Sequence, residues 1–155
     1  MNNNNHEVWM QKAAHVAEQA LCLKARCGSV IVHGSEIIGT GYNAPPNDNI
    51  SIRRCDAKDK TPPRKNYDKT CCVHAEWRAI SDALKNNANK LQGSILYFTR
   101  VDARGGILKS GEPFCTVCSR LALDVGIAFF VLWHEDGIRA YQTGEYNDMS
   151  YNYKE

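Results

Sequence analysis

Residues 127–133, IAFFVLW, are seven consecutive apolar residues. A strand that is apolar on both faces has to be covered on both, so the sheet holding it must lie between two layers. The run falls far short of the roughly 20 apolar residues that cross a bilayer, and no membrane span is expected. Another strand pattern, SILYFTR, occupies residues 94–100. Between the two, residues 115–125 place Val117, Leu121 and Val125 on one helical face. Strand, helix and strand at short loop distance is the pattern of a parallel crossover.

The upstream half adds the remaining layers. Residues 7–24 carry Val8, Met10 or Gln11, Ala14, Ala17 and Leu21 at helical spacing. Two β-branched stretches, CGSVIVH and EIIGTGY, flank the turn signal His33-Gly34-Ser35 and read as a hairpin over residues 27–42. Residues 74–88 form a helical pattern with Trp77, Ile80 and Leu84 on one face, and residues 137–142 a short last strand. Residues 43–70 hold Pro45, Pro46, Pro62 and Pro63 and many Asn and Asp, and residues 102–113 form a Gly-containing loop. A loop as long as 43–70 in a compact domain is more often functional than decorative. The expected fold is α/β, a three-layer α/β/α sandwich around a mixed sheet of about five strands.

With 155 residues, 43% hydrophobic and 23% charged, the chain is expected to be one domain over residues 1–155 rather than disordered or fibrous. Its polar start, MNNNNHEVWM, lacks the apolar core of a secretory signal, and a cytoplasmic location is expected. A net charge of +2 disfavours a large polyanionic partner such as nucleic acid. Charge is concentrated at residues 53–69, where Arg53, Arg54, Lys58, Lys60, Arg64, Lys65 and Lys69 face only Asp56, Asp59 and Asp68. Such a run is usually a solvated loop; the sharper reading is a site for a small anion such as phosphate.

Seven cysteines, an odd number without an export signal, favour free thiols and metal sites over a disulfide framework. Cys115 and Cys118 form a C-x-x-C at the start of one helix, and His74-Ala75-Glu76 opens another. Two thiolates and one imidazole can hold zinc tetrahedrally and leave its fourth position to water. Residues three apart on a first helical turn face the same side, and a helix N-terminus favours the thiolate form. Glu76, two residues from the histidine, is placed to move protons rather than to bind metal. Each part alone has an ordinary explanation. A C-x-x-C arises by chance or as a redox pair, and a lone histidine is more often structural. Their order is specific: H-A-E at a helix start, one strand, then P-x-C-x-x-C at the next helix start matches the zinc-dependent deaminase signature.

On these residues the sequence resembles the cytidine and deoxycytidylate deaminase superfamily, most closely its deoxycytidylate branch. The likeness runs from the first helix to Trp133. It includes Gly41-Tyr42-Asn43, Val73-His74-Ala75-Glu76, Ala79-Ile80, Leu96-Tyr97-Phe98-Thr99 and the cysteine pair. It implies a catalytic zinc on His74, Cys115 and Cys118, with Glu76 as proton shuttle. Asn43 and the backbone around Ala75 would contact the substrate, a cytosine nucleotide or nucleoside with dCMP favoured. It also implies a homo-oligomer. Some members carry a second, structural zinc, and Cys22, Cys55 and Cys72 stand at three of its ligand places. Arg64 stands at the fourth, where Cys71 is the candidate replacement. Otherwise such cysteines are small buried hydrophobes, the reading that suits Cys27.

The chain also departs from that branch. Phe114 separates Pro113 from Cys115, the loop before them is long, and His134-Glu135-Asp136-Gly137 looks like a tight turn into an antiparallel end strand where the branch continues through a helix to a parallel one. Rival readings are a deaminase of another base, such as guanine or adenosine in tRNA, a zinc module without catalysis, and a thiol redox switch. His6, His15, His33 and His134 sit in no ligand spacing and are expected at the surface or in structural roles.

Overall fold

The computed structural model describes residues 3–54 and 71–154. Helix α1 (Asn3–Ala17) is followed by strands β1 (Arg26–His33) and β2 (Glu36–Tyr42), helix α2 (Ala75–Asn87), and strands β3 (Ile95–Val101) and β4 (Ile107–Leu108). Helix α3 (Thr116–Asp124), strands β5 (Phe129–His134) and β6 (Gly137–Gln142), and helix α4 (Thr143–Tyr151) complete the order. The strands run β2-β1-β3-β5-β6 across one mixed sheet, with β4 paired to β3. Among the described residues only the β3–β5 pair is parallel, and α3 is its crossover helix. The sheet therefore has six strands rather than about five, because the long loop after β3 returns to add a two-residue strand at its end.

The expected three layers are present. One core joins α1 to the sheet through Met10, Ala13, Val30, Val32, Tyr97 and Val131. The other packs α2, α3 and α4 against the opposite face through Ile31, Ile80, Ala83, Ala122, Phe130 and Tyr146. Strand β5 is accordingly covered on both sides.

Three boundaries differ from the expected ones. Helix α1 begins at Asn3 and stops at Ala17, so Leu21 lies beyond it and Val8 is exposed. On α2 the buried face is Ala79, Ile80 and Ala83, and Leu84 is exposed. Helix α2 lies so close to β2 that its contact surface is made of alanine, and larger residues are turned outward. A Cβ on Gly41 would stand 2.2 Å from the Ala75 carbonyl oxygen, so only glycine lets the start of α2 approach β2 this closely. Helix α4 was not expected. It carries Gly144, Asn147, Asp148 and Ser150, all weak helix formers, and is docked by polar contacts: Asn147 donates to Ser119 Oγ at 2.9 Å and Ser150 to Thr116 Oγ1 at 3.1 Å. The end strand β6 does pair antiparallel with β5, as its turn implies.

Candidate active site

His74 and Cys115 are the N-cap residues of α2 and α3, and Cys118 lies in the first turn of α3. Both helix starts meet at the same end of the sheet, because each follows or leads into a neighbouring central strand. His74 Nδ1 is 3.2 Å from Cys118 Sγ and 3.5 Å from Cys115 Sγ, and the two sulfurs are 2.6 Å apart. All three donor atoms lie within 4.8 Å of one another. A hydrogen bond from Cys118, reinforced by His74, holds the Cys115 thiol down at about 5, so one sulfur is a ready thiolate. Burial pushes Cys118 well up, and its proton is shared with Cys115 and Glu76. Two sulfurs and an imidazole nitrogen on rigid helix starts fit zinc, both in donor chemistry and in convergence.

Glu76 is 5% exposed, in the first turn of α2. Burial, then the Cys115 charge, push its carboxyl up to about 7, while His74 and a hydrogen bond from Cys118 oppose the rise. The carboxyl is thus a buried acid–base group in contact with the donor cluster and outside it.

His74, Glu76 and Cys115 line a cavity of about 470 Å³, within the size range of small-molecule sites. Asn43 and Ala75 line it too. Asn43 is brought there by a short bridge in which Val73 N–H donates to the Ala44 carbonyl at 2.8 Å, joining the residue after Asn43 to the one before His74. The Asn43 amide is largely committed to the scaffold. Its Oδ1 accepts from Cys27 N–H and its Nδ2 donates to the Ala25 carbonyl, each at 2.8 Å, leaving one amide hydrogen for the cavity. An Arg78–Asp48 ion pair at 2.8 Å, with Tyr42 donating to Asp48 at 2.6 Å, ties this loop to α2.

Several residues at the site were given no role in it from the sequence. The Trp77 ring stacks on His74, with centroids 4.6 Å apart and planes 12° apart, and fixes the imidazole; the three-residue spacing was the available signal. Tyr146 of α4 is buried at the cavity wall, stacked on Phe130. Phe114, the residue inserted before Cys115, is 57% exposed and meets Tyr153 at 5.4 Å across the rim. His134, expected to be structural, accepts from Tyr141 OH at 2.8 Å on Nε2 and donates from Nδ1 to the Ser110 carbonyl at 3.0 Å, which pins the loop lining the mouth.

Of the other cysteines, Cys27 lines the cavity with its thiol pushed up to about 12 by burial, as an inert residue would be. Cys72 is in hydrogen-bond contact with Cys71, sulfur to sulfur 3.5 Å, and with Cys22. Cys55 and Arg64 lie outside the described residues, as does most of the basic segment. Arg53 donates from Nη1 to the Leu21 carbonyl at 3.2 Å, and neither it nor Arg54 lines the cavity. Among the described residues no helix is long and apolar enough to cross a membrane.

A layered α/β fold with a sulfur–nitrogen donor set at two helix starts and a buried carboxyl beside it defines a zinc-binding domain of hydrolytic type. The family model of the cytidine and deoxycytidylate deaminase zinc-binding region matches residues 3–133, and the chain belongs to that family. The deoxycytidylate deaminases of Schizosaccharomyces pombe and Saccharomyces cerevisiae are 31% and 32% identical to it over 94 residues. Each match covers 57% of this chain but only 28% of the relative's own length. Among solved structures, the dCMP deaminase of cyanophage S-TIM5 in complex with dCMP and dUMP superimposes with a TM-score of 0.57 at 20% identity, covering 84% of this chain and 81% of the other. A cytidine deaminase from Burkholderia pseudomallei gives 0.60 at 16% identity, with 91% and 94% covered. These likenesses show the shared fold.

Proposed function

We propose that the chain is a hydrolytic deaminase of a cytosine nucleotide, converting dCMP to dUMP and ammonia. The observation that carries this reading is Glu76, a buried carboxyl hydrogen-bonded to Cys118 and within the electrostatic reach of His74 and Cys115, at the wall of a cavity of small-molecule size. A zinc ion held by His74, Cys115 and Cys118 would supply Lewis acidity, lowering the pKa of a bound water from 15.7 toward roughly 7. Glu76 takes a proton from the attacking water as its oxygen bonds to the carbon bearing the exocyclic amine. The same carboxyl returns that proton to the ring nitrogen, then takes the second proton from the new hydroxyl and passes it to the amine; the carbon–nitrogen bond breaks, and ammonia leaves behind a carbonyl. A carboxylate suits the task because it both accepts and donates within one cycle.

The remaining amide hydrogen of Asn43 and the backbone at Ala75 are assigned to orienting the substrate, and Trp77 to orienting His74. A purely structural zinc site would call for a fourth protein ligand and has no use for this carboxyl. The contacts of Cys72 with Cys71 and with Cys22 support a second, structural zinc at Cys22, Cys55 and Cys72 with Cys71 as the fourth ligand, Cys55 lying outside the described residues, and the chain is taken to act as a homo-oligomer. A nucleoside substrate is the second reading, favoured by the antiparallel β5–β6 end hairpin that departs from the deoxycytidylate branch. The deciding experiment is a panel of dCMP, CMP, cytidine, cytosine, guanine and adenosine, followed by ammonia release. Turnover of dCMP well above the others is expected. Turnover confined to guanine or adenosine overturns the cytosine assignment, and none at all overturns the enzyme.

A further inference from the structure

Apart from His74, the cavity wall carries one cationic side chain among the described residues, Arg100. It lies on β3 in register with Cys27, two residues beyond Phe98, and both Phe98 and Arg100 line the cavity. Alternation along the strand places them on the face that bears the donor cluster. Arg100 is exposed, and among the described residues no carboxylate pairs with it.

A smaller depression of about 260 Å³ adjoins the first, with Ala25 and Arg100 forming the wall between them. Its charged residues are Lys24, Arg26, Arg100 and Asp102. The single acid is already engaged. Asp102 Oδ1 accepts from the backbone N–H of Arg104 at 2.8 Å and of Gly106 at 2.9 Å, closing its own turn. Arg26 gives one N–H to the Glu18 carbonyl and keeps its remaining donors. Three cations therefore border an open hollow that leads directly off the cavity, whose own acids are Glu76 and Glu112. A neutral ligand would have no use for this arrangement. A ligand with a flat base at one end and a dianion at the other fits both halves.

We infer that Arg100, with Lys24 and Arg26, forms an anion subsite that takes the phosphate monoester of the substrate, and that Arg100 is the residue that separates nucleotide from nucleoside. The inference rests on the proposed deamination for its substrate and replaces the basic segment 53–69 as the phosphate reader. Arg suits the role because its planar fork grips phosphate oxygens in pairs, which Lys cannot do.

The test uses the zinc-loaded protein and compares wild type, Arg100→Ala and Arg100→Lys on dCMP and deoxycytidine. Arg100→Ala is expected to lower the ratio of the two kcat/KM values by about tenfold to a hundredfold, mainly through KM for dCMP, with Arg100→Lys in between. A second arm needs no turnover. Calorimetry measures dUMP, deoxyuridine and inorganic phosphate binding, and Arg100→Ala is expected to weaken dUMP and phosphate by the same factor and to leave dUMP no tighter than deoxyuridine. An unchanged ratio, or equal losses on both substrates, overturns the subsite. If wild type deaminates neither compound, the proposed activity falls and the calorimetric arm decides alone: dUMP and phosphate binding that depends on Arg100 sustains the subsite, and binding indifferent to it removes it.

Discussion

The two faces of the sheet are built from the same strands and serve opposite ends. On the α1 face Tyr97, Val30, Val32 and Val131 meet Met10 and Ala13 in continuous packing, and the buried polar contact there is His6 Nδ1 with the Tyr97 hydroxyl at 2.9 Å. On the other face the packing is continuous only through the middle, over Ile31, Leu96, Phe130 and Leu132. At the end where α2 and α3 start it gives way to a cavity whose walls are Cys27, Phe98, Arg100 and the donor cluster. Neighbours in one strand, Tyr97 and Phe98, thus point into a closed core and an open site. The comparison teaches that chemistry here is obtained by leaving one end of one face unfilled, while the opposite face supplies the rigidity that holds two helix starts in place.

The sharpest way to break the comparison is to strike the donor cluster. Cys118→Ser on the site face should remove the zinc and essentially all turnover, since the water then returns toward its ordinary acidity near 15.7. Metal analysis and ammonia release check it together. A variant that keeps one zinc per chain and full turnover places the metal elsewhere. Next in size is Glu76→Gln, which keeps the shape and the zinc but cannot shuttle protons. A loss of at least about two orders of magnitude in kcat is expected, with thermal stability kept. A variant that retains wild-type kcat rules out Glu76 as the proton carrier.

Much of this was legible in the sequence, for physical reasons. Residues at helix starts carry a fixed local spacing, so the donor group His74, Cys115 and Cys118 was legible, with Glu76 two residues from the histidine. The apolar run at β5 implied coverage on both faces. The reverse holds for residues whose role comes from folding distant segments together. Tyr146 and Tyr153 reach the rim from α4, a helix held by side-chain hydrogen bonds rather than by an apolar stripe. Arg100 stands one residue before the end of β3 with no local mark of a site; the role proposed for it depends on the hollow formed with residues 24–26, far away in sequence. The charge run at 53–69 stands out because composition reports clusters along the chain and not across the sheet, and most of it lies outside the described residues. The packing demand on Gly41 comes likewise from Ala75, distant in sequence, whose carbonyl oxygen stands 2.2 Å from where a Cβ would sit.

A matched pair of glycines sharpens the contrast further. Gly28→Ala puts a Cβ 2.2 Å from the Ala13 carbonyl oxygen on the α1 face, and Gly41→Ala puts one at the same distance from the Ala75 carbonyl oxygen on the site face. Both contacts are with backbone, so a helix must shift, at a cost of about 1–3 kcal/mol. For a chain of this size that is a fall in Tm of roughly 2–12 °C. Gly28→Ala should keep kcat, because α1 does not touch the cavity. Gly41→Ala should lose activity as well, because it displaces the helix start that carries His74 and Glu76. Differential scanning calorimetry with steady-state kinetics on both variants reads the two effects, and equal kinetic losses would show that the faces are not separable.

The smallest expected effect belongs to the buried pair on the α1 face. His6 is 7% exposed, and burial holds its pKa below the ordinary histidine value of 6.5. Tyr97 is pushed up to about 12 by burial and stays neutral throughout the range of interest. In the unfolded chain His6 titrates near 6.5, so below that pH the unfolded state binds more protons than the folded one. Stability is therefore full above about pH 6.5 and declines as pH falls toward the lower folded-state value. His6→Gln keeps a hydrogen-bonding partner for the Tyr97 hydroxyl and removes the titrating group. Wild type should lose more Tm than His6→Gln between about pH 7.5 and 5.5. Zinc release at low pH contributes equally to both proteins, because their donor clusters are the same, and the difference isolates His6. Parallel Tm curves for the two proteins would mean that the α1 face holds no titrating group of consequence, and both would owe their acid sensitivity to the site face alone.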